Sequence, residues 1–359
     1  MNARPCPRSR PCRRTGLRAV PMLAALLVAV PAMAAPVVPA APAAAGADAR
    51  LRPVHTFSIV ARDQATGEMG VAVQSHWFSV GAVVPWAEAG VGAVATQSIV
   101  EPSYGPLGLA LMRSGKSAPD ALKSLLAGDT GADVRQVAMV DAQGRAAAHT
   151  GEHCILMAGD VVGEGFTTEA NLMEKDTVWG AMARAFTATK GDLTDRLIAA
   201  LEAAQAEGGD IRGRQSAAIV VVAGTSTGRP WADRLVDLRV DDSTDPIGEL
   251  KRLVRLNRAY RRMNDGDNLF AAGDVAGAVR EYGAAEALVP DNIEMVFWHA
   301  VTLASAGKVA ESLPLFRKVF ADRVQGAKWA ALVPRLPHSK MLPDDPKLID
   351  RITAVAPGH

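Results

Sequence analysis

Apolar residues are arranged in three ways along this chain. An unbroken apolar run, Ala19–Val30, follows an arginine-rich start. From Thr56 to Val240, short β-branched runs alternate with turn clusters and a few helical stretches. Beyond Asn264, apolar residues recur at helical spacing only. In the middle region, Phe57–Arg62 and Met69–Gln74 flank Asp63-Gln64-Ala65-Thr66-Gly67-Glu68, which has the composition of a hairpin turn. Val80–Pro85 and Val91–Gln97 flank Trp86-Ala87-Glu88-Ala89-Gly90 in the same manner. Helices are expected over Pro106–Arg113 and over Pro119–Leu126, the second opened by the capping box Ser117-Ala118-Pro119-Asp120. A further hairpin follows, Gln136–Val140 and Arg145–Thr150 about Asp141-Ala142-Gln143-Gly144. Two helices come next, Asp176–Thr189 and Leu193–Ala206, with Asp192 as the cap of the second. Strands Ala217–Ala223 and Leu235–Val240 and a departing helix, Pro246–Met263, complete the pattern.

Strands arriving in hairpins, not alternating with helices, favour an α+β fold of antiparallel sheets over a doubly wound parallel one. The strands carry Val-Ala and Gly-Ala steps, small on both faces, which suits sheets covered on both sides. Two packed sheets between helical layers meet that requirement.

The helical tail contains a repeat. Gly273 and Gly307 lie thirty-four residues apart, and at the same offset Val275 matches Val309, Ala276 Ala310, Val279 Leu313 and Tyr282 Phe316. Thirty-four residues is the tetratricopeptide period, one helix pair per repeat. The division read from these patterns is 1–34, a signal peptide; 35–54, an Ala/Pro-rich linker; 55–255, the sheet domain; and 256–359, a small all-α helical-repeat region.

Composition sharpens the N-terminal reading. Arg4, Arg8, Arg10, Arg13, Arg14 and Arg18 precede the apolar run without an acid among them, and Ala32-Met33-Ala34 offers small residues for a signal peptidase. This is the pattern of a secretory signal, too short for a transmembrane helix, so the protein is expected to be exported, periplasmic or secreted. Arg13-Arg14 leaves general secretory and twin-arginine routes both open. Six of the 39 basic residues lie in 1–34, leaving 33 against 38 acidic ones. That mildly acidic balance argues against nucleic acid or an anionic membrane surface as partner. Cys6 and Cys12 leave with the signal, so Cys154 stands alone and is read as a small buried apolar residue.

Several motifs are read as structure. Gly224-Thr225-Ser226-Thr227-Gly228 matches the nucleophile elbow G-x-S-x-G, but Arg229-Pro230-Trp231 intervenes where a helix must start, so a hairpin loop is expected. Gly90-Val91-Gly92-Ala93-Val94-Ala95 matches a dinucleotide fingerprint without its βαβ unit. His149, His153 and Cys154 lack helical spacing and further ligands for zinc. No cofactor or metal is therefore assigned.

Thr56 is the residue on which function turns. Its structural reading is a β-branched residue opening a strand. Its chemical reading is an N-terminal nucleophile, whose hydroxyl attacks a carbonyl while its freed α-amine, of reference pKa about 7.7–8.0, takes the proton. That mechanism requires Thr56 to be the true N-terminus, and His55 precedes it. His76, at the end of the second strand, and Gln97-Ser98, at the end of another, stand where polar side chains could gather around Thr56 and supply oxyanion donors.

Three segments, Thr-Phe-Ser-Ile-Val-Ala-Arg-Asp at 56–63, Thr-Gly-Glu-x-Gly-Val-Ala-Val at 66–73 and Gly-Ala-Val-Val-Pro-Trp-Ala at 81–87, resemble the N-terminal signature of the domain-of-unknown-function 1028 family. Gly-Val-Gly-Ala-Val-Ala-Thr-Gln at 90–97, Pro-Ser-Tyr-Gly-Pro-x-Gly at 102–108 and Val-Asp-Leu-Arg-Val-Asp-Asp at 236–242 continue the likeness. The resemblance implies an Ntn-hydrolase-like four-layer α-β-β-α sandwich over about residues 55–255. It implies an amide-bond hydrolase in which Thr56 is the nucleophile, with Gln97, Ser98 and Asn171 as stabilisers or substrate donors and His76 near them. Some relatives carry a C-terminal region proposed to bind peptidoglycan, in the place of the helical tail here. Two features depart from better-understood Ntn enzymes. Glu88 stands where proteasome-type peptidases place a lysine, and His55 replaces the small residue that often precedes a self-released nucleophile. Expected substrates are small amides or peptides, peptidoglycan fragments among them. A protein partner at the repeats and a homo-oligomer are the other expected associations. The competing expectation is a non-catalytic periplasmic binding or scaffold protein.

Overall fold

The computed structural model describes residues 56–357; the expected signal and linker lie outside the described residues. In chain order the strands are β1 (Thr56–Arg62), β2 (Met69–Ser75), β3 (Pro85–Glu88), β4 (Gly92–Ser98), β5 (Arg135–Asp141), β6 (Ala146–Thr150), β7 (Gly159–Gly163), β8 (Phe166–Ala170), β9 (Ser216–Val222) and β10 (Arg234–Val240). The helices are α1 (Tyr104–Arg113), α2 (Ala118–Leu126), α3 (Val178–Ala188), α4 (Leu193–Ala206), α5 (Pro230–Asp233), α6 (Pro246–Ala271), α7 (Val275–Leu288), α8 (Ile293–Ser305), α9 (Val309–Phe320), α10 (Gly326–Leu332) and α11 (Pro346–Thr353).

All strand pairings are antiparallel. One sheet has the order β10-β9-β2-β1-β8-β7 and the other β3-β4-β5-β6. The β1–β2 hairpin is closed by Asp63, whose Oδ1 accepts from the backbone N–H groups of Ala65 and Thr66, both at 2.9 Å. Alternation along the strands sorts side chains into layers. Phe57, Ile59 and Ala61 point outward into a core shared with Met182 and Phe186 of α3, Leu197 and Leu201 of α4, and Leu250 and Val254 of α6. Val60, Val71, Val73 and Val220 point inward and meet Ala93, Ala95, Ala138 and Val140 of the other sheet. The far face of that second sheet, Val94, Val137 and Met139, packs on Tyr104, Leu109 and Met112 of α1 and Leu122 of α2. Both sheets thus face one another with helices outside. The alanines on the inner faces let the sheets approach closely, as the small-residue strands require.

Two expectations change. Val80–Pro85 is not a strand: Val80–Ala82 is a 3₁₀ turn, and β3 starts at Pro85. Ser79 turns left-handed with φ 56°, and the Val80 N–H donates to Ser216 Oγ at 3.1 Å. Gly81 lies so close to β9 that a Cβ there would stand 2.7 Å from that of Ala218, so the apolar run plugs the sheet instead of joining it. The second change is the addition of β7 and β8, which have no strong apolar alternation. The helix expected over Pro246–Met263 is present as α6 and extends to Ala271.

The helical tail keeps its thirty-four-residue repeat in space: α7 and α9 start at Val275 and Val309, each after a left-handed glycine, Gly273 (φ 87°) and Gly307 (φ 78°). Met263, Ala278, Tyr282 and Ala285 are buried, as are Phe297, Ser312, Phe316 and Val319 at the same offset. Among the described residues, no helix is long and apolar enough to cross a membrane.

Candidate functional site

At one end of the sandwich the inner faces turn polar. Thr56 pairs with Ser75 across β1–β2, and its Oγ1 donates to Ser75 Oγ at 3.2 Å. Ser75 in turn pairs with Ser216 of β9. On the other side of β1, Ser58 faces Glu169, and the Asn171 N–H donates to the Thr56 carbonyl at 3.1 Å. The opposite sheet presents Gln97, Gln136 and Thr150 in register.

Amides bridge the two sheets. Gln97 Nε2 donates to Gln136 Oε1 at 2.8 Å and reaches the Thr56 carbonyl at 3.4 Å. Asn171 Nδ2 donates to the same Gln136 Oε1 at 2.8 Å. Gln136 Nε2 donates to Thr150 Oγ1 and to the Ala170 carbonyl, each at 2.9 Å. Thr150 passes its own hydrogen to Asp160 Oδ1 at 2.6 Å. Thr56, Ser58, Gln97, Gln136, Glu169 and Asn171 are all fully buried, so these bonds replace water that the groups have lost.

Glu169 is the outlier of the cluster. Ser58 Oγ donates to its Oε1 at 3.1 Å, while its Oε2 has no hydrogen-bond partner among the described residues. Burial pushes its carboxyl well above the ordinary range; the Ser58 hydrogen bond pulls it down, and the Asp160 charge, directly across on β7, pushes it up. Burial and the Asp160 charge thus both favour its protonated form.

The expected site residues therefore divide. Thr56, Gln97 and Asn171 meet in one network. Ser98 is the next residue after Gln97 but takes a left-handed backbone, φ 71°, and its hydroxyl bonds to Cys154. The Cys154 thiol also donates to the Arg135 carbonyl at 3.3 Å, and burial raises its pKa, so it is held as an inert thiol. His76 follows Ser75, but its backbone N–H donates to Asp210 Oδ2 at 3.2 Å and its ring faces Gly213. Asp210 is fixed by Arg212 at 2.6 Å. His149 and His153 likewise hold the Ala132–Asp133 turn, at 2.7 and 2.8 Å.

Ser58, Gln136 and Glu169 were not singled out from the sequence. Ser58 could have been, because two residues along a strand from Thr56 is the same face. Glu169 sits in a strand without an apolar signature, so nothing local marked it. The Gly224–Gly228 loop lies between β9 and β10, with Ser226 and Thr227 donating to Asp233 at 2.9 and 2.6 Å, and the short helix α5 follows at Pro230, where no helix was expected.

These features define an α+β protein of two packed antiparallel sheets with a buried polar end and a helical tail. Residues 56–250 match the family model described as "Family of unknown function (DUF1028)", and the chain belongs to that family. A crystal structure of a Silicibacter pomeroyi protein assigned to DUF1028 is 33% identical, with a TM-score of 0.50, over 56% of this chain and 88% of that one. No curated protein matches the chain.

Proposed function

We propose that this is an exported amide-bond hydrolase of the Ntn type, with the two sheets and their outer helices as its α-β-β-α sandwich. Thr56 acts as nucleophile once the His55–Thr56 bond is cut. Its released α-amine takes the hydroxyl proton and returns it to the departing amine of a small amide or peptide. Peptidoglycan fragments suit the exported compartment. Gln97 Nε2 and Asn171 supply hydrogen-bond donors beside the reacting carbonyl, the kind of pre-set dipole that stabilises an oxyanion. The thirty-four-residue helix pairs are read as a tetratricopeptide-like module offering a surface to a protein partner.

The observation that carries this reading is the place of Thr56. It heads a central strand, its side chain points between the sheets, and its carbonyl is held by Asn171 and Gln97. A second reading, a non-catalytic binding or scaffold protein, is favoured by the mutual pairing of Gln97, Gln136 and Asn171, which uses donors a substrate would need.

Intact mass and N-terminal sequencing of the protein exported by its own cell separate the two. A mature chain starting at Thr56 supports catalysis, and a stable start near Ala35 ends the free-amine mechanism. Thr56→Ala is expected to block the His55–Thr56 cut; unchanged processing would assign it to an outside protease.

A further inference from the structure

The mechanism above makes no use of the most unusual group in the site. Glu169 is 0% exposed, and among the described residues the influences on its protonation are burial, Ser58 and Asp160. It lies on the inner face of β8, directly across from Ser58 and one same-face step from Asn171, whose backbone is bonded to Thr56. Thr56, Ser58, Glu169 and Asn171 thus form a two-by-two block on neighbouring strands, close enough for direct contact among long side chains. One oxygen of Glu169 is occupied by Ser58, and the other is buried without a partner. A buried polar atom left without a partner is costly, and the sandwich keeps one beside its candidate nucleophile. Toward the apolar end of the same inner space the corresponding pair is Val60 and Thr167, with no ionisable group.

We infer that Glu169, held by Ser58 with its second oxygen free in the block it shares with Thr56, is a catalytic residue: as a neutral acid it donates a hydrogen bond from Oε2 to the oxyanion formed when Thr56 attacks. This rests on the nucleophile reading of Thr56. No proton leaves Glu169 in the step. The Thr56 Oγ–C bond forms, the carbonyl π pair moves to oxygen, and the Oγ proton goes to the α-amine. A carboxyl kept protonated by its surroundings can serve as an oxyanion donor in this way. Raised protonation also makes the acid a stability burden above its unfolded pKa. The folded form then binds more protons than the unfolded one, so stability is greatest in acid and falls as pH rises through the folded pKa.

The test uses acylation of Thr56 by a β-lactone, read by intact mass, in protein processed by its own cell, across pH. The wild type should acylate and lose rate at alkaline pH as Glu169 ionises. Glu169→Gln keeps a neutral donor and should remove that alkaline loss. Glu169→Leu should slow acylation about 10²–10³-fold, as for loss of one oxyanion donor. Full-length Glu169→Gln should also melt higher than wild type at pH 8, with the two converging in acid. If Thr56 acylates but both variants keep the wild-type rate and alkaline limb, the role given to Glu169 is wrong while the nucleophile reading survives. If the wild type does not acylate at Thr56, both fall. A Glu169→Gln protein that melts lower at pH 8 would make Glu169 a structural group and overturn the inference.

Discussion

The two ends of the space between the sheets are built from the same strands and obey opposite rules. Toward one end, Val60, Met69, Val71, Ala93, Val140 and Val220 make a dry apolar contact. Toward the other, the same strands continue inward as Thr56, Ser58, Ser75, Gln97, Gln136 and Ser216, and β8 and the residue after it add Glu169 and Asn171. Apolar burial needs only shape, and alanines and valines supply it. Polar burial needs a partner for every atom, and here a single residue, Gln136, supplies partners to both sheets. The difference teaches where this protein carries a demand beyond folding: a polar end this large lowers stability relative to an apolar one.

Breaking the amide layer should cost most. Gln136→Leu removes the acceptor shared by Gln97 Nε2 and Asn171 Nδ2 and the donor to Thr150 Oγ1 and the Ala170 carbonyl, and at roughly 1–1.5 kcal/mol per lost hydrogen bond a loss of about 4 kcal/mol is expected in urea denaturation. A smaller loss is expected at the apolar end. Met69→Ala, at a fully buried inner position, should cost about 3 kcal/mol by cavity formation. If Met69→Ala proves the costlier of the two, the amide layer contributes less than plain packing. Ser58→Ala should have the smallest effect, about 1 kcal/mol for one hydrogen bond, measured at pH 5 and at pH 8. It also removes the bond that favours the ionised form of Glu169, so the pH at which Glu169 titrates should move up; a titration unchanged by Ser58→Ala would uncouple the two residues.

Legibility in the sequence followed the same division. The strands of the apolar end were readable because Val and Ala alternate there with turn residues between. The capping box at Ser117 was readable from four residues, and Ser117 Oγ does accept from the Asp120 N–H at 3.1 Å. Thr56 and Gln97 could be nominated because each lies at a strand end. Val80–Pro85 was misread because an apolar run has no feature separating a strand from a buried plug; Ser216 and Ala218, more than 130 residues away, make the distinction. β8 was missed because Thr167 and Glu169 face inward where apolar residues are usual, so its alternation carries no hydrophobic signal.

By itself the sequence determined the hairpins, the thirty-four-residue helical period and the position of Thr56 at the head of a strand. These depend on local rules, the two-residue strand period, turn chemistry and helix spacing, which act within a few residues. Only the tertiary structure decided that Gln97, Gln136 and Asn171 would share one hydrogen-bond network, that Ser98 would meet Cys154, that the His76 backbone would bond to Asp210, and that Glu169 would be buried beside Ser58. Those outcomes depend on which strands become neighbours, and burial and hydrogen-bond partners come from segments distant in the chain. Thr56 became part of a site because β2, β4 and β8 converge on it.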